Sequence, residues 1–154
     1  LTLNRIPQLY YGTEILMNGT KETTDGNVRK DFPGGFAGDT ANKFTREGRT
    51  AEENAMFDWT SRLLHWRQGN KVITHGKQTQ FLPWHGTYVV ARQYKGKNVM
   101  TVINGRNAAN KMEVKRYAEI IGNHTTARDI TTGKTISLTA DVPLSARQAM
   151  VLEF

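Results

Sequence analysis

The second half of the chain is a series of short apolar runs, each closed by a turn signal. The clearest pair is TYVVARQY and NVMTVING, which flank Lys95-Gly96-Lys97 and carry apolar residues on both faces. Glycine between two such runs predicts a β-hairpin. The run TARDITTGKTISL predicts a second hairpin that turns at Thr132-Gly133. Strands this short and frequent predict a mainly β domain, an antiparallel Greek-key β-sandwich, from residue 71 onward.

One amphipathic helix precedes this strand region, in TAEENAMFDWTSRLLHWRQ, residues 50–68. Thr50 followed by Glu53 is a capping box, in which each side chain bonds the other residue's backbone N–H. Gly69-Asn70 is a usual stop signal. Apolar side chains recur at helical spacing and predict one buried face, formed by Met56, Trp59, Leu63 and Trp66 and widened by Phe57 and Leu64.

The chain opens with a short apolar run and a long loop, IPQLYYGTEILMNGTKETTDGNVRKDFPGGF, residues 6–36. Loops beyond about 12–15 residues are usually functional or disordered. A strand at residues 6–11 would carry a large ring on each face through Tyr10 and Tyr11, and it needs neighbouring strands to pair its backbone. A strand, a loop and a helix therefore predict the last βα unit of a larger sheet. This reasoning divides the chain into residues 1–70 and residues 71–154.

Charge and composition limit the classes of function. The net charge is +7, and the whole excess lies in residues 71–154. The basic residues there are scattered, often at turns, so binding of nucleic acid is a weaker interpretation than a solvated surface. There is no cysteine, and the four histidines show no ligand spacing, so we expect no metal and no cofactor. No apolar run is long enough to span a membrane, and no signal peptide is visible.

The order of these elements, and the residues themselves, resemble the α-amylase superfamily of glycoside hydrolases. The run IPQLYYGTEI is similar to the eighth strand of that family's (β/α)₈ barrel. The loop DGNVRKDFPGGF resembles bacterial neopullulanases and cyclomaltodextrinases, especially those of Bacteroides-type starch-utilisation systems. The helix resembles the last barrel helix, and the strands from about Lys77 resemble the C-terminal β-sandwich. The resemblance thus implies the last strand, loop and helix of a barrel followed by a sandwich.

The resemblance also implies a role for the long loop. In barrel enzymes the βα loops build the active site. Asp25 and Arg29 match a D-x-x-x-R pattern by which related enzymes hold sugar hydroxyls, and Lys30 and Asp31 are further candidates for substrate binding. A loop ion pair between Asp25 and Arg29 is the structural alternative. Trp84, in LPWHG, is a candidate sugar contact, although packing is the commoner role of such a ring.

No catalytic residue is expected within this chain. Retaining glycosidases use two carboxylates about 5–5.5 Å apart. By the resemblance, those carboxylates belong to barrel strands four, five and seven, which this sequence does not contain. We therefore expect an inactive piece of an enzyme that hydrolyses α-1,4-glucosidic bonds of cyclodextrins, pullulan or maltooligosaccharides. The alternative is a carbohydrate-binding or structural module.

The expected partners are an α-glucan oligosaccharide, the rest of the catalytic barrel and another copy of the chain. Nucleic acid and membranes are not expected. The resemblance implies a bacterial protein of the periplasm or cytoplasm.

Overall fold

The computed structural model describes residues 1–22 and 24–154. They form two compact units: Leu1–Ile6 together with Leu63–Phe154, and Pro7–Arg62. The boundary between them falls inside helix α1 (Ala51–Gly69). The division into residues 1–70 and 71–154 stays a prediction about the domains of the protein.

Eight strands form two antiparallel sheets in the first unit, which confirms the predicted β class. The larger sheet has the order β1-β2-β3-β8-β5-β6, and β4 pairs with β7 in the smaller one. The last strand in chain order thus lies between β3 and β5. The strands are β1 (Lys77–Gln80), β2 (Thr87–Tyr94), β3 (Lys97–Asn104), β4 (Asn110–Met112), β5 (Thr126–Asp129), β6 (Thr135–Ser137), β7 (Val142–Leu144) and β8 (Ala149–Glu153).

Both predicted hairpins are present. β2 and β3 pair up to Tyr94 and Lys97, and the two residues between them have positive φ, 49° at Lys95 and 77° at Gly96. Two left-handed residues form the type I′ turn that matches the twist of an antiparallel pair. β5 and β6 join through the predicted turn, where Gly133 has φ 76°. Local turn residues therefore determine the register of both hairpins.

The core of the first unit lies on one face of the larger sheet. The smaller sheet, a 3-10 turn at Val114–Tyr117 and helix α3 (Ala118–Ile121) contribute to it. The ring of Tyr117 is buried and meets Phe81 edge-on, with centroids 4.9 Å apart. Met150 and Leu152 enter this core and Phe154 packs against it.

The opposite face of the larger sheet is covered by a short helix, α2 (Lys71–His75). Side chains alternate along a strand, so Arg92 lies on the other face from Val89 and Ala91 of the core. The guanidinium of Arg92 reaches the backbone of Gly76, immediately after α2. The Asn70 side chain caps this helix by accepting from the backbone N–H groups of residues 72 and 73.

Helix α1 begins at the predicted capping box. The Glu53 N–H donates to Thr50 Oγ1 at 3.2 Å, and the Thr50 N–H donates to Glu53 Oε2 at 2.7 Å. Leu63 is buried as predicted, with 3% exposure. Leu64 is 40% exposed, so the prediction that it widens the buried face is wrong. Neighbouring residues lie about 100° apart around a helix, so Leu63 and Leu64 point in different directions.

The strand predicted over residues 6–11 does not form. Residues 7–10 are irregular, and residues 11–12 lie in a turn. Ile6 is 94% exposed and Tyr10 55% exposed. A strand is stabilised by hydrogen bonds to a neighbour, and no described strand lies beside these residues.

Candidate functional site

A short 3-10 helix, Asp25–Val28, carries the first predicted sugar-binding residue. The Asp25 carboxylate forms two ion pairs, with Lys21 Nζ at 3.1 Å and with Arg29 Nη2 at 3.2 Å. The three side chains are 75%, 44% and 66% exposed for Lys21, Asp25 and Arg29. Exposed ion pairs contribute little to stability, roughly 0–1 kcal/mol. This pairing therefore orients the Arg29 guanidinium without anchoring the loop.

The same unit contains a cavity of about 410 Å³. Arg29 and Lys30 line it, whereas Asp25 and Asp31 do not. The structure thus brings two of the four predicted residues to one cavity. Further polar and aromatic side chains face this space, among them Tyr10, Tyr11, Thr13, Asn18 and Asn27. Rings combined with amides, hydroxyls and a guanidinium suit a polyhydroxylated ligand.

Two adjacent tyrosines form one wall of the cavity. Their ring centroids lie 4.7 Å apart, and the Tyr11 hydroxyl donates to the carbonyl oxygen of Lys30 at 2.8 Å. Desolvation, together with a hydrogen bond to Tyr10 and the charge of Asp31, raises the pKa of Tyr11. Tyr11 is therefore a neutral donor that holds the Lys30 backbone in place, and the exposed Asp31 acts on it only through charge.

The sequence did not identify these tyrosines as site residues. Placing Tyr10 and Tyr11 in a strand assigned both rings to the interior of a sheet. The available signal was two aromatic residues immediately before the long loop, a pattern equally consistent with a cleft wall.

The part of the loop that follows the cavity is held by Asp39. Its carboxylate accepts from the backbone N–H of Gly34 at 2.6 Å and of Phe36 at 3.1 Å. Both hydrogen bonds lower the pKa of Asp39, and the one from Phe36 has the larger effect. Gly34 has φ 105°, and a Cβ there would lie 2.7 Å from the Cα of Asn42. The DFPGGF segment consequently requires glycine at this position.

A second set of contacts ties this loop to the start of α1. Lys43 Nζ bonds Glu53 Oε2 at 2.6 Å, and both side chains are largely buried. The Arg49 guanidinium lies 3.9 Å from the centre of the Phe57 ring and donates to the carbonyl oxygen of Lys43. Specific side-chain contacts therefore hold the loop in place within its unit.

Trp84 lies in the first unit, where it precedes a tight turn. His85 and Gly86 have φ 46° and 79°, and backbone hydrogen bonds link Trp84 with Thr87. The ring is 40% exposed, but the Arg116 guanidinium lies 4.6 Å from its centre and the His85 ring 4.4 Å. A sugar that stacked on Trp84 would compete with these groups, so its role as a sugar contact stays a prediction.

Within residues 1–22 and 24–154, no three His, Asp or Glu side chains come together as metal ligands would. The helices in these ranges also include none with the length and apolar character needed to cross a membrane.

Several solved structures share this fold. An α-amylase from Anoxybacillus superposes with a TM-score of 0.64 at 17% identity over 94% of this chain, which is 28% of that enzyme. The α-amylase GTA from Geobacillus thermoleovorans, solved with acarbose, gives 0.63 at 21% identity over 94% of this chain and 28% of its own. A variant of AmyP in complex with maltotriose gives 0.61 at 18% identity over 76% and 23%. The chain thus spans about a quarter of the length of these enzymes.

The sequence itself matches one family model. The match covers residues 78–153, from β1 to the end of β8, and the model describes the cyclo-malto-dextrinase C-terminal domain. The shared fold and the family match are thus consistent with each other. Residues 78–153 are therefore similar to the cyclo-malto-dextrinase C-terminal domain, and the chain shares its fold with part of the α-amylases described above.

Proposed function

We propose that this chain is part of a retaining α-glucan hydrolase that cleaves α-1,4-glucosidic bonds in cyclodextrins, pullulan or maltooligosaccharides. The observation that carries the proposal is the match of residues 78–153 to the cyclo-malto-dextrinase C-terminal domain. Two similar structures hold acarbose or maltotriose, which supports an oligosaccharide ligand. The subtype we favour is a neopullulanase or cyclomaltodextrinase of a starch-utilisation system.

In this proposal the loop of the second unit forms one wall of the substrate cleft. Arg29 donates hydrogen bonds to sugar oxygens from the cavity wall, and Tyr10 provides an apolar ring surface beside it. Asp25 orients Arg29 through their ion pair. Lys30 contributes to ligand binding from the cavity wall. Asp31 does not line the cavity and acts on the ligand only through its charge. The catalytic carboxylates are supplied by barrel strands outside this chain.

Arg29→Ala, made in the longer enzyme, is expected to lower kcat/KM for maltooligosaccharides by about 10–100-fold. The lost interaction is a charge-assisted hydrogen bond, worth roughly 1.5–3 kcal/mol. Thermal stability should change little because the Asp25 ion pair is exposed. Steady-state kinetics and a melting curve measure both quantities.

Lys21→Ala is the matched control, since Lys21 pairs with the same carboxylate but does not line the cavity. It should leave kcat/KM within about twofold of the parent enzyme. Equal losses in the two variants would mean that Asp25 pairing, and not contact with sugar, determines the effect.

We also propose that the isolated chain associates with itself through residues 6–11. Ile6 is 94% exposed and Leu9 43% exposed, so this segment presents apolar surface to solvent. Light scattering should show a mass that rises with protein concentration, and the double variant Ile6→Ser, Leu9→Ser should suppress the rise. Leu82→Ser, at another exposed leucine, should not. A constant monomer mass in the unmodified chain would contradict the proposal.

A further inference from the structure

A second cavity, of about 490 Å³, lies wholly within the first unit. Its walls come from the last turn of α1, the start of α2, the β2–β3 turn and the end of β8. Tyr94 and Lys97 pair across the β2–β3 ladder, and side chains of paired residues project from the same face of a sheet. The volume is in the range of small-ligand sites, about 300–1,000 Å³. The cavity shares no lining residue with the one beside Arg29.

Three of the lining side chains are lysines that form no ion pair. Lys71 is the first residue of α2, Lys95 lies in the β2–β3 turn, and Lys97 is the first residue of β3. All three are exposed, and none of the ion pairs within residues 1–22 and 24–154 includes any of them. Glu153 is the acidic residue of the lining, so the cavity has a net charge of +2.

Glu153 is held by an amide and not by one of these lysines. Its carboxylate accepts a hydrogen bond from the Asn70 side chain at 2.9 Å. The oxygen of the same Asn70 side chain caps α2 by accepting from the backbone N–H groups of residues 72 and 73. Asn70 therefore ties the end of β8 to the start of α2, and the ammonium groups of the cavity stay available to a ligand.

Two aromatic residues, Tyr94 and Trp66, complete the walls of the cavity. The Lys95 ammonium lies 5.5 Å from the centre of the Tyr94 ring, within the range of a cation–π contact. One positive charge is thus located beside an apolar ring surface. A wall of this kind can contact the organic part of a small molecule next to its charged group.

We propose that this cavity binds a phosphate group, supplied as inorganic phosphate or by a small phosphate monoester. Such a group carries about −1.5 to −2 charges at pH 7, which matches the net charge of the lining. Lysine binds phosphate as a point charge, whereas a planar carboxylate is matched best by the fork of an arginine. In the part of the chain that the structure describes, no arginine lines this cavity. The site shares no residue with the proposed substrate cleft, so it does not depend on the proposed function.

Isothermal titration calorimetry of the chain, at low ionic strength in a phosphate-free buffer, tests the site with three probes. They are inorganic phosphate, glucose 1-phosphate and uncharged glucose. At least one of the two phosphate compounds should bind saturably to one site per chain, and glucose should not bind there. Tighter binding of glucose 1-phosphate would identify a monoester as the ligand, because its sugar would contact the rings. Equal binding of the two would identify the phosphate group alone.

The double variant Lys71→Gln, Lys97→Gln should weaken this binding by about tenfold, since it removes two charge-assisted contacts at an exposed site. Lys115→Gln, Lys134→Gln is the matched control, because it removes two exposed lysines that do not line the cavity and changes the net charge equally. It should keep the affinity within about twofold, and melting curves verify that both double variants fold.

Three results would overturn the proposal. The first is no saturable binding of either phosphate compound by the unmodified chain. The second is an equal loss of affinity in the two double variants, which would mean that only the overall charge of the chain attracts phosphate. The third is binding of glucose as tight as that of glucose 1-phosphate and equally weakened by the cavity substitutions, which would indicate a site for neutral sugar.

Discussion

Replacing Asp129 with leucine is expected to destabilise the sheet unit by about 3–5 kcal/mol. Asp129 is 1% exposed, at the end of β5. Its carboxylate accepts from the N–H and hydroxyl of Thr131 at 2.9 and 2.8 Å, from the Thr132 hydroxyl at 2.7 Å and from the Val151 N–H at 3.3 Å. Leucine would leave these donors without an acceptor, at roughly 1–3 kcal/mol for each buried one.

Urea unfolding of the unmodified chain and of Asp129→Leu measures this loss of unfolding free energy. The loss corresponds to a melting temperature lower by roughly 10 °C. Asp129→Asn keeps one carbonyl oxygen as an acceptor, so its stability should lie between those of the unmodified chain and Asp129→Leu. Asp31→Leu is the matched control, since Asp31 is exposed, and it should change stability by less than about 0.5 kcal/mol. A loss below 1 kcal/mol for Asp129→Leu would show that the network contributes little to the fold.

The chain alone is expected to release no reducing sugar from cyclodextrin, pullulan or starch. A retaining glycosidase needs a nucleophilic carboxylate and a carboxylic acid about 5–5.5 Å apart. Four of the chain's carboxylates are instead held by cations, since Asp25, Glu53, Asp58 and Asp141 pair with Arg29, Lys43, Arg46 and Lys111 respectively. Loss of the catalytic pair removes a rate enhancement of at least about 10⁶-fold.

A reducing-end assay with purified chain should therefore match the buffer blank over many hours. The longer enzyme, prepared in the same way, is the positive control, and a mock purification from cells that lack the chain measures contaminating amylase. Sustained release by chain that is free of such contamination would contradict the prediction. It would also place a catalytic pair within these 154 residues.

Features that depend on residues close together in sequence were predictable. Lys95-Gly96 defines a type I′ turn because both residues accept positive φ, and Thr50 with Glu53 forms the helix cap because their spacing places each side chain beside the other's N–H. The Asp25–Arg29 pair follows from the same locality, since a single helical turn separates the two residues.

Features that depend on distant partners were not predictable in the same way. Tyr10 and Tyr11 were assigned to a strand because their pattern suits one, but a strand also needs a neighbour that the pattern does not specify. Leu64 is as apolar as Leu63, and only the folded structure shows which of the two is buried. Arg92 shows the same limit, since the sequence places a charge in a β-strand without indicating that it is covered.

The position of β8 has a consequence for synthesis of the protein. β1, β2 and β3 pair in sequence, as do β5 and β6, but the two groups are joined in the sheet only through β8. Until residues 149–153 leave the ribosome, β3 and β5 both have an unpaired edge that could bind another nascent chain. Release of these five residues closes both edges at once. Translation that stops shortly before Ala149 would therefore yield a product prone to aggregation, even though it contains seven of the eight strands described for the first unit.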